Sequence, residues 1–172
     1  MGEAGAGGWS FRPVDPSDAE TIARYHHRCW LAAFAPLLAP GAVEAMDPWG
    51  KLDRLREWFA PGSGLTTVVA DLGGRAIGHT TVSGNELVHL FVDPDHWGRG
   101  LGRALLDIGE ELLTAAGHRE AELHTIVGNE PALVLYRSAG WVVTDRLVHN
   151  DWDGVAYDEH VLVKRLPTDE RR

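Results

Sequence analysis

The sequence predicts an α/β (α+β) fold: a mixed, mostly antiparallel central sheet flanked by helices. Three observations carry that prediction. Strand-like and amphipathic stretches follow one another in the order β, α, α, β, β, β, α, β, α, β, β. Leu87-Val88-His89-Leu90-Phe91-Val92 is a nearly continuous apolar run, as expected of a strand covered on both faces in the middle of a sheet. Asp71-Leu72-Gly73-Gly74, Gly84-Asn85 and Asp153-Gly154 are turn signals that join antiparallel neighbours.

Taken in order, Ser10 to Val14 reads as a first strand ended by Asp15-Pro16, after which Ser17 or Asp18 caps a helix. Ile22, Tyr25, His26, Cys29, Trp30 and Phe34 recur at helical spacing. A second helical stretch, Ala42 to Phe59, breaks near Asp47-Pro48 and sets Trp49, Leu52, Leu55, Trp58 and Phe59 on one side. Thr66–Ala70, Ala76–Ser83 and Leu87–Val92 are strands, and Leu101–Ala116 is a helix stopped by Gly117. Ala121–Val127 is a strand, Pro131–Ser138 a short helix, and Trp141–Leu147 and Val155–Leu166 form a closing hairpin.

The 172 residues carry no repeat and no second composition regime, so one domain is expected over 9–166, between a Gly/Ala-rich leader (1–8) and a polar tail (167–172). With 44% hydrophobic and 24% charged residues, a wholly disordered chain is excluded. No apolar run approaches the roughly 20 residues that cross a bilayer. The leader has neither the basic cluster nor the apolar core of a secretory signal. Cys29 is the single cysteine, so no intrachain disulfide forms and a cytoplasmic location is expected. A net charge of −9 disfavours nucleic acid as a partner and mildly favours a cationic substrate. The nine histidines lack paired metal-ligand spacing, so no metal is expected.

The most informative segment is Val92-Asp93-Pro94-Asp95-His96-Trp97-Gly98-Arg99-Gly100-Leu101-Gly102-Arg103, a buried strand, a glycine turn and a helix start. Its glycines let a ligand approach the backbone, and the unpaired N–H groups of the new helix face one spot. That arrangement is an anion site suited to phosphate or diphosphate, with Arg99 and Arg103 at the rim. A Walker A loop is excluded because Arg103-Ala104, not Lys-Ser/Thr, follows Gly102. A dinucleotide fingerprint is missing its third glycine.

These residues resemble the acyl-CoA-binding motif of the GNAT superfamily of N-acetyltransferases, Gln/Arg-x-x-Gly-x-Gly/Ala, with Trp97 standing where Gln or Arg is usual. A second block agrees: Asn129-Glu130-Pro131-Ala132, then Tyr136-Arg137-Ser138-Ala139-Gly140-Trp141, is similar to the family's Asn-x-x-Ala…Tyr-x-x-x-Gly-Phe. The resemblance covers Phe11 to Leu166. It implies acetyl-CoA as co-substrate, its diphosphate held by amides of Gly98, Arg99, Gly100, Leu101, Gly102 and Arg103. It also implies pairing of its pantetheine arm with the backbone of Leu90, Phe91 and Val92 and with Asn129. Dimers are common in that family, so a homodimer is compatible with the resemblance.

Acetyl transfer from a thioester to an amine needs a proton acceptor for the amine, a donor for the departing thiolate and stabilisation of the carbonyl oxygen. The resemblance assigns the donor role to Tyr136. For the base it offers Glu86, His124 or an ordered water, with His89 a third side chain. The resulting expectation is transfer to a small-molecule or peptide amine by direct attack in a ternary complex. Its rivals are a non-catalytic acyl-CoA sensor and a nucleotide- or phosphate-binding module.

Overall fold

The computed structural model describes residues 8–45, 52–152 and 154–167. Most of the leader, the expected break at Asp47-Pro48, Trp49 and the end of the tail lie outside them. Among the described residues, seven strands form one sheet in the order β1-β2-β3-β4-β5-β7-β6. They are β1 (Ser10–Pro13), β2 (Thr66–Leu72), β3 (Arg75–Ser83), β4 (Glu86–Val92), β5 (Glu120–Ile126), β6 (Val142–Trp152) and β7 (Val155–Arg165). Every neighbouring pair is antiparallel except β4 and β5.

Helices α1 (Ala19–Cys29), α2 (Leu52–Phe59), α3 (Leu101–Ala115) and α4 (Glu130–Ser138) flank that sheet. Successive side chains of β3 point to opposite faces. Ala76 therefore joins the α1 cluster with Ile22, Tyr25, Cys29 and Val69, while Ile77 joins the α3 side with Leu101 and Leu105. On the α3 side, Gly109 permits close contact: a Cβ there would stand 2.7 Å from Leu87 Cδ1 and 2.9 Å from Thr80 Oγ1.

Two local expectations are corrected. Asp18 holds the N-cap position of α1 without a side-chain cap bond, and the side-chain cap lies at Asp15, ahead of the 3-10 turn. The Asp15 carboxylate accepts from the Ser17 amide while Asp18 accepts from the Asp15 amide, closing a capping box around the 3-10 turn Pro16–Asp18. Pro16 at the first position favours this start. Secondly, β4 is central but not sealed: Leu87 and Val92 are buried, while Val88, His89, Leu90 and Phe91 stay partly open.

The opening has a topological cause. Parallel pairing of β4 with β5 covers only Glu86–Glu122 and Leu87–Leu123. Beyond Leu87 the strands part, while β5 stays paired along its other edge with β7 from Glu120–Arg165 to Ile126–Glu159. The sheet thus splays at its centre. Opposite the gap, α1 continues into a π-helical segment, Trp30–Phe34, whose widened turn extends the helix toward Pro36.

Candidate active site

A groove of about 500 Å³ opens at the splay, lined by the end of β4, the glycine turn, the π-helical segment and the start of α4. The glycines at 98 and 100 take φ of 72° and 82°, the left-handed region that side chains disfavour. Gly100 is the N-cap of α3, and the first internal bond runs from the Ala104 amide to its carbonyl. The amides of Leu101, Gly102 and Arg103 therefore have no acceptor inside the helix. Gly98, Gly100, Gly102 and Arg103 line the groove, whereas the side chain of Leu101 is core. Arg99 is exposed and lies between two of the lining glycines without lining the groove itself. Arg103 lines it while its Nε donates to Asp107 at 2.8 Å.

Leu90, Phe91 and Val92 form the adjoining wall. The Asp93 amide donates to the Ile77 carbonyl, so by antiparallel alternation Phe91 directs its backbone groups toward β3, and Leu90 and Val92 direct theirs into the gap. The Val92 carbonyl already accepts from Trp97 Nε1 at 2.7 Å and from Cys29 Sγ at 3.0 Å. Trp97 thus anchors the glycine turn to the strand it follows. Burial, reinforced by Asp93, pushes the Cys29 thiol up to about 12, so it stays protonated and is no nucleophile.

A second cavity of about 310 Å³ lies beyond β4. Phe34, Leu90, Phe91, Asn129, Ala132 and Tyr136 line both spaces, so the two meet there. Tyr136 projects from α4 with its ring against Trp141, and its hydroxyl makes no hydrogen bond among the described residues. Burial, followed by the field of Glu159, raises its pKa above the ordinary phenol value, so it is neutral and carries its proton. Asn129 precedes α4 but makes no cap bond; its amide reaches Thr125 at 3.4 Å.

Glu86 and His124 both line the second cavity. His124 is held by carboxylates on both sides, Nε2 at 3.0 Å from Glu122 and Nδ1 at 3.7 Å from Glu159. Glu122 is in turn lowered from its ordinary value by His124 and by Arg146. The Glu86 carboxylate has no hydrogen bond or ion pair among the described residues. His89 also lines the cavity, and burial holds it down to about 4, so it is neutral. Trp30 lines the cavity, whereas Trp58 packs against the α1 cluster.

Sequence reasoning did not single out the residues that the last hairpin contributes. They are Asn150, Asp151, Tyr157 and Glu159. Burial holds Glu159 above its ordinary value against the pull of His124, and Glu86 pushes the same way. Its Oε2 accepts from Asn150 Nδ2 at 2.6 Å. The available signal was the period-two spacing of Tyr157 and Glu159, which puts both on the face shared with buried Val161.

Residues 17–141 match the acetyltransferase (GNAT) family. The chain belongs to that family. It is 41% identical over 118 residues to a mycothiol acetyltransferase of Clavibacter sepedonicus, an overlap covering 65% of this chain and 38% of that protein. The chain spans about two-fifths of the length of such relatives. Among solved structures, it resembles the GCN5-related N-acetyltransferase of Rhodopseudomonas palustris with a TM-score of 0.80 at 22% identity, covering 96% of this chain and 98% of the other. The PaiA N-acetyltransferase of Thermoplasma acidophilum, solved with coenzyme A, gives 0.74 at 19% identity over 91% and 98% of the two chains. These likenesses fix the fold as that of GNAT acetyltransferases. No helix among the described residues is long and apolar enough to cross a membrane.

Proposed function

We propose that this GNAT protein is an acyl-CoA-dependent N-acetyltransferase acting on a primary amine of a small, cationic acceptor. The observation that carries the reading is the meeting of the two spaces at Tyr136 and Asn129. The groove fits acetyl-CoA: it offers the free amides of Leu101, Gly102 and Arg103, glycines open to ligand approach, and no acidic side chain in its lining. The second cavity fits the acceptor, since Glu86, Asp151 and Glu159 line it and no lysine or arginine does. The mycothiol acetyltransferase relatives favour a small molecule over a peptide.

When bound, acetyl-CoA supplies an acetyl thioester open to direct attack by the amine in a ternary complex. Glu86 takes the proton from the acceptor ammonium, directly or through water, because its carboxylate is free of competing partners. His124, engaged by Glu122 and Glu159, orients that carboxylate cluster. The amides of Leu90 and Val92 face the gap and polarise the carbonyl oxygen. Asn129 holds the pantetheine amides. Tyr136 Oη gives its proton to the thiolate and recovers one from solvent. Thiol release from acetyl-CoA, measured against a panel of amines with Tyr136→Phe as control, tests the reading: acceptor-dependent release is expected, and its absence with every amine overturns it.

A further inference from the structure

We infer that Glu159 anchors the acceptor's ammonium beside Glu86, and that the rings of Trp30, Phe34 and Tyr157 select an aromatic monoamine. The inference rests on reading the second cavity as the acceptor site. Tyr157 and Glu159 are two residues apart on β7 and share a face. Glu159 pairs with Ile126 and Tyr157 with Asn150, and all four line the cavity. The Glu159 side chain is only 18% exposed. Among the described residues its one hydrogen bond comes from Asn150 Nδ2, while His124 Nδ1, at 3.7 Å, lies beyond hydrogen-bond reach.

A carboxylate withdrawn from water calls for a counter-charge. Inside the cavity Glu159 meets a second carboxylate, Glu86, and no lysine or arginine among the described residues lines the space. Arg146 is engaged elsewhere, with Glu122. Burial holds Glu159 above its ordinary value even against the pull of His124, as expected where the cation has yet to arrive. Tyr136 points the same way: it is 7% exposed, lines both spaces, and its hydroxyl has no partner among the described residues. The remaining wall describes the acceptor's body. Trp30 stands edge-to-face with Phe34 at 4.9 Å and with Tyr157 at 5.7 Å between ring centroids, and Ile126 joins their cluster. Such a wall receives a ring by edge-to-face or offset contact and supports a neighbouring ammonium. A second ammonium is poorly served there. Asp151, the third carboxylate, is exposed and already accepts from the Gly154 amide at 2.7 Å.

Calorimetry on the full chain saturated with coenzyme A tests both parts. 2-Phenylethylamine is expected to bind about tenfold more tightly than putrescine, glucosamine or its uncharged isostere 2-phenylethanol. Glu159→Gln should weaken 2-phenylethylamine about tenfold and leave 2-phenylethanol and coenzyme A within about twofold, so that the preference for charge disappears. In turnover of 2-phenylethylamine the same variant should raise KM about tenfold and keep kcat within about threefold. Tyr157→Leu should weaken 2-phenylethylamine and 2-phenylethanol alike. Unchanged amine affinity in Glu159→Gln, or an equal loss for 2-phenylethanol, would overturn the anchor. Putrescine or glucosamine binding as tightly as 2-phenylethylamine, or an unaffected Tyr157→Leu, would overturn the selection by the rings. Failure of the coenzyme A-loaded protein to bind any of the three amines would instead overturn the reading of the cavity.

Discussion

The groove and the cavity beyond it are built in opposite ways. The groove's distinctive wall comes from one contiguous stretch, Leu90 to Arg103, and works largely through main-chain groups at a helix start. The cavity gathers side chains from α1, β4, β5, α4 and the β6–β7 hairpin. Their charges are opposite too, with Arg103 and free amides on one side and Glu86, Asp151 and Glu159 on the other. A main-chain anion site tolerates many side chains but depends on backbone shape, whereas a side-chain site depends on each group's identity. Substitutions should divide along that line.

The largest effect is expected where the two spaces meet. Tyr136→Phe should lower kcat by about a hundredfold or more while coenzyme A affinity, read by calorimetry, stays within about twofold. A variant that turns over normally would break the assignment. Glu86→Gln should also reduce kcat by about a hundredfold, with His124→Gln falling less. Reversal of that order would make His124 the base. In the groove the expectation inverts: Gly100→Ala, forced to keep φ near 82°, should weaken coenzyme A binding about tenfold with little change in kcat at saturation.

Two smaller effects concern pH and sharpen the contrast. His89 is held down to about 4 in the folded chain and titrates near 6.5 when unfolded. The unfolded chain therefore binds the proton more tightly, and up to about 3 kcal/mol of stability is lost as pH falls from 6.5 toward 4. His89→Phe should remove part of that acid sensitivity in thermal melts across this range. Glu159 has the opposite linkage. Its folded pKa is raised, so the folded chain holds the proton more tightly and stability is lost as pH rises above the unfolded value near about 4.3. Glu159→Gln should raise the Tm by about a few degrees at pH 7 and leave it unchanged near pH 4. No gain at pH 7 would mean that the carboxylate is better accommodated than its burial implies.

Much of the site lay open in the one-dimensional pattern, and for a definite reason. The glycines at 98, 100 and 102 and the pair Asn129 and Tyr136, all of which line the groove, lie within short segments, so spacing along the chain carries the geometry. The strand and helix periods likewise placed α3, β4 and the paired strands β6 and β7, while Asp153 of the expected turn lies outside the described residues. What escaped was non-local: the half-open state of β4 and the placement of Glu159 and Tyr157 in the cavity. Asp15 was missed as a cap because Asp15, Ser17 and Asp18, all within four residues, carry side chains able to cap.

The amino-acid order alone determined the family's motifs, the succession of elements and the candidacy of Tyr136, since each depends on neighbours a few residues apart. Only the tertiary structure decided that β4 and β5 part after Leu87, that Arg99 turns to solvent, and that a hairpin from the chain's last quarter lines the second cavity. Those outcomes depend on how strands pair and helices press across the sheet, where distant residues share one space and no local period records the encounter.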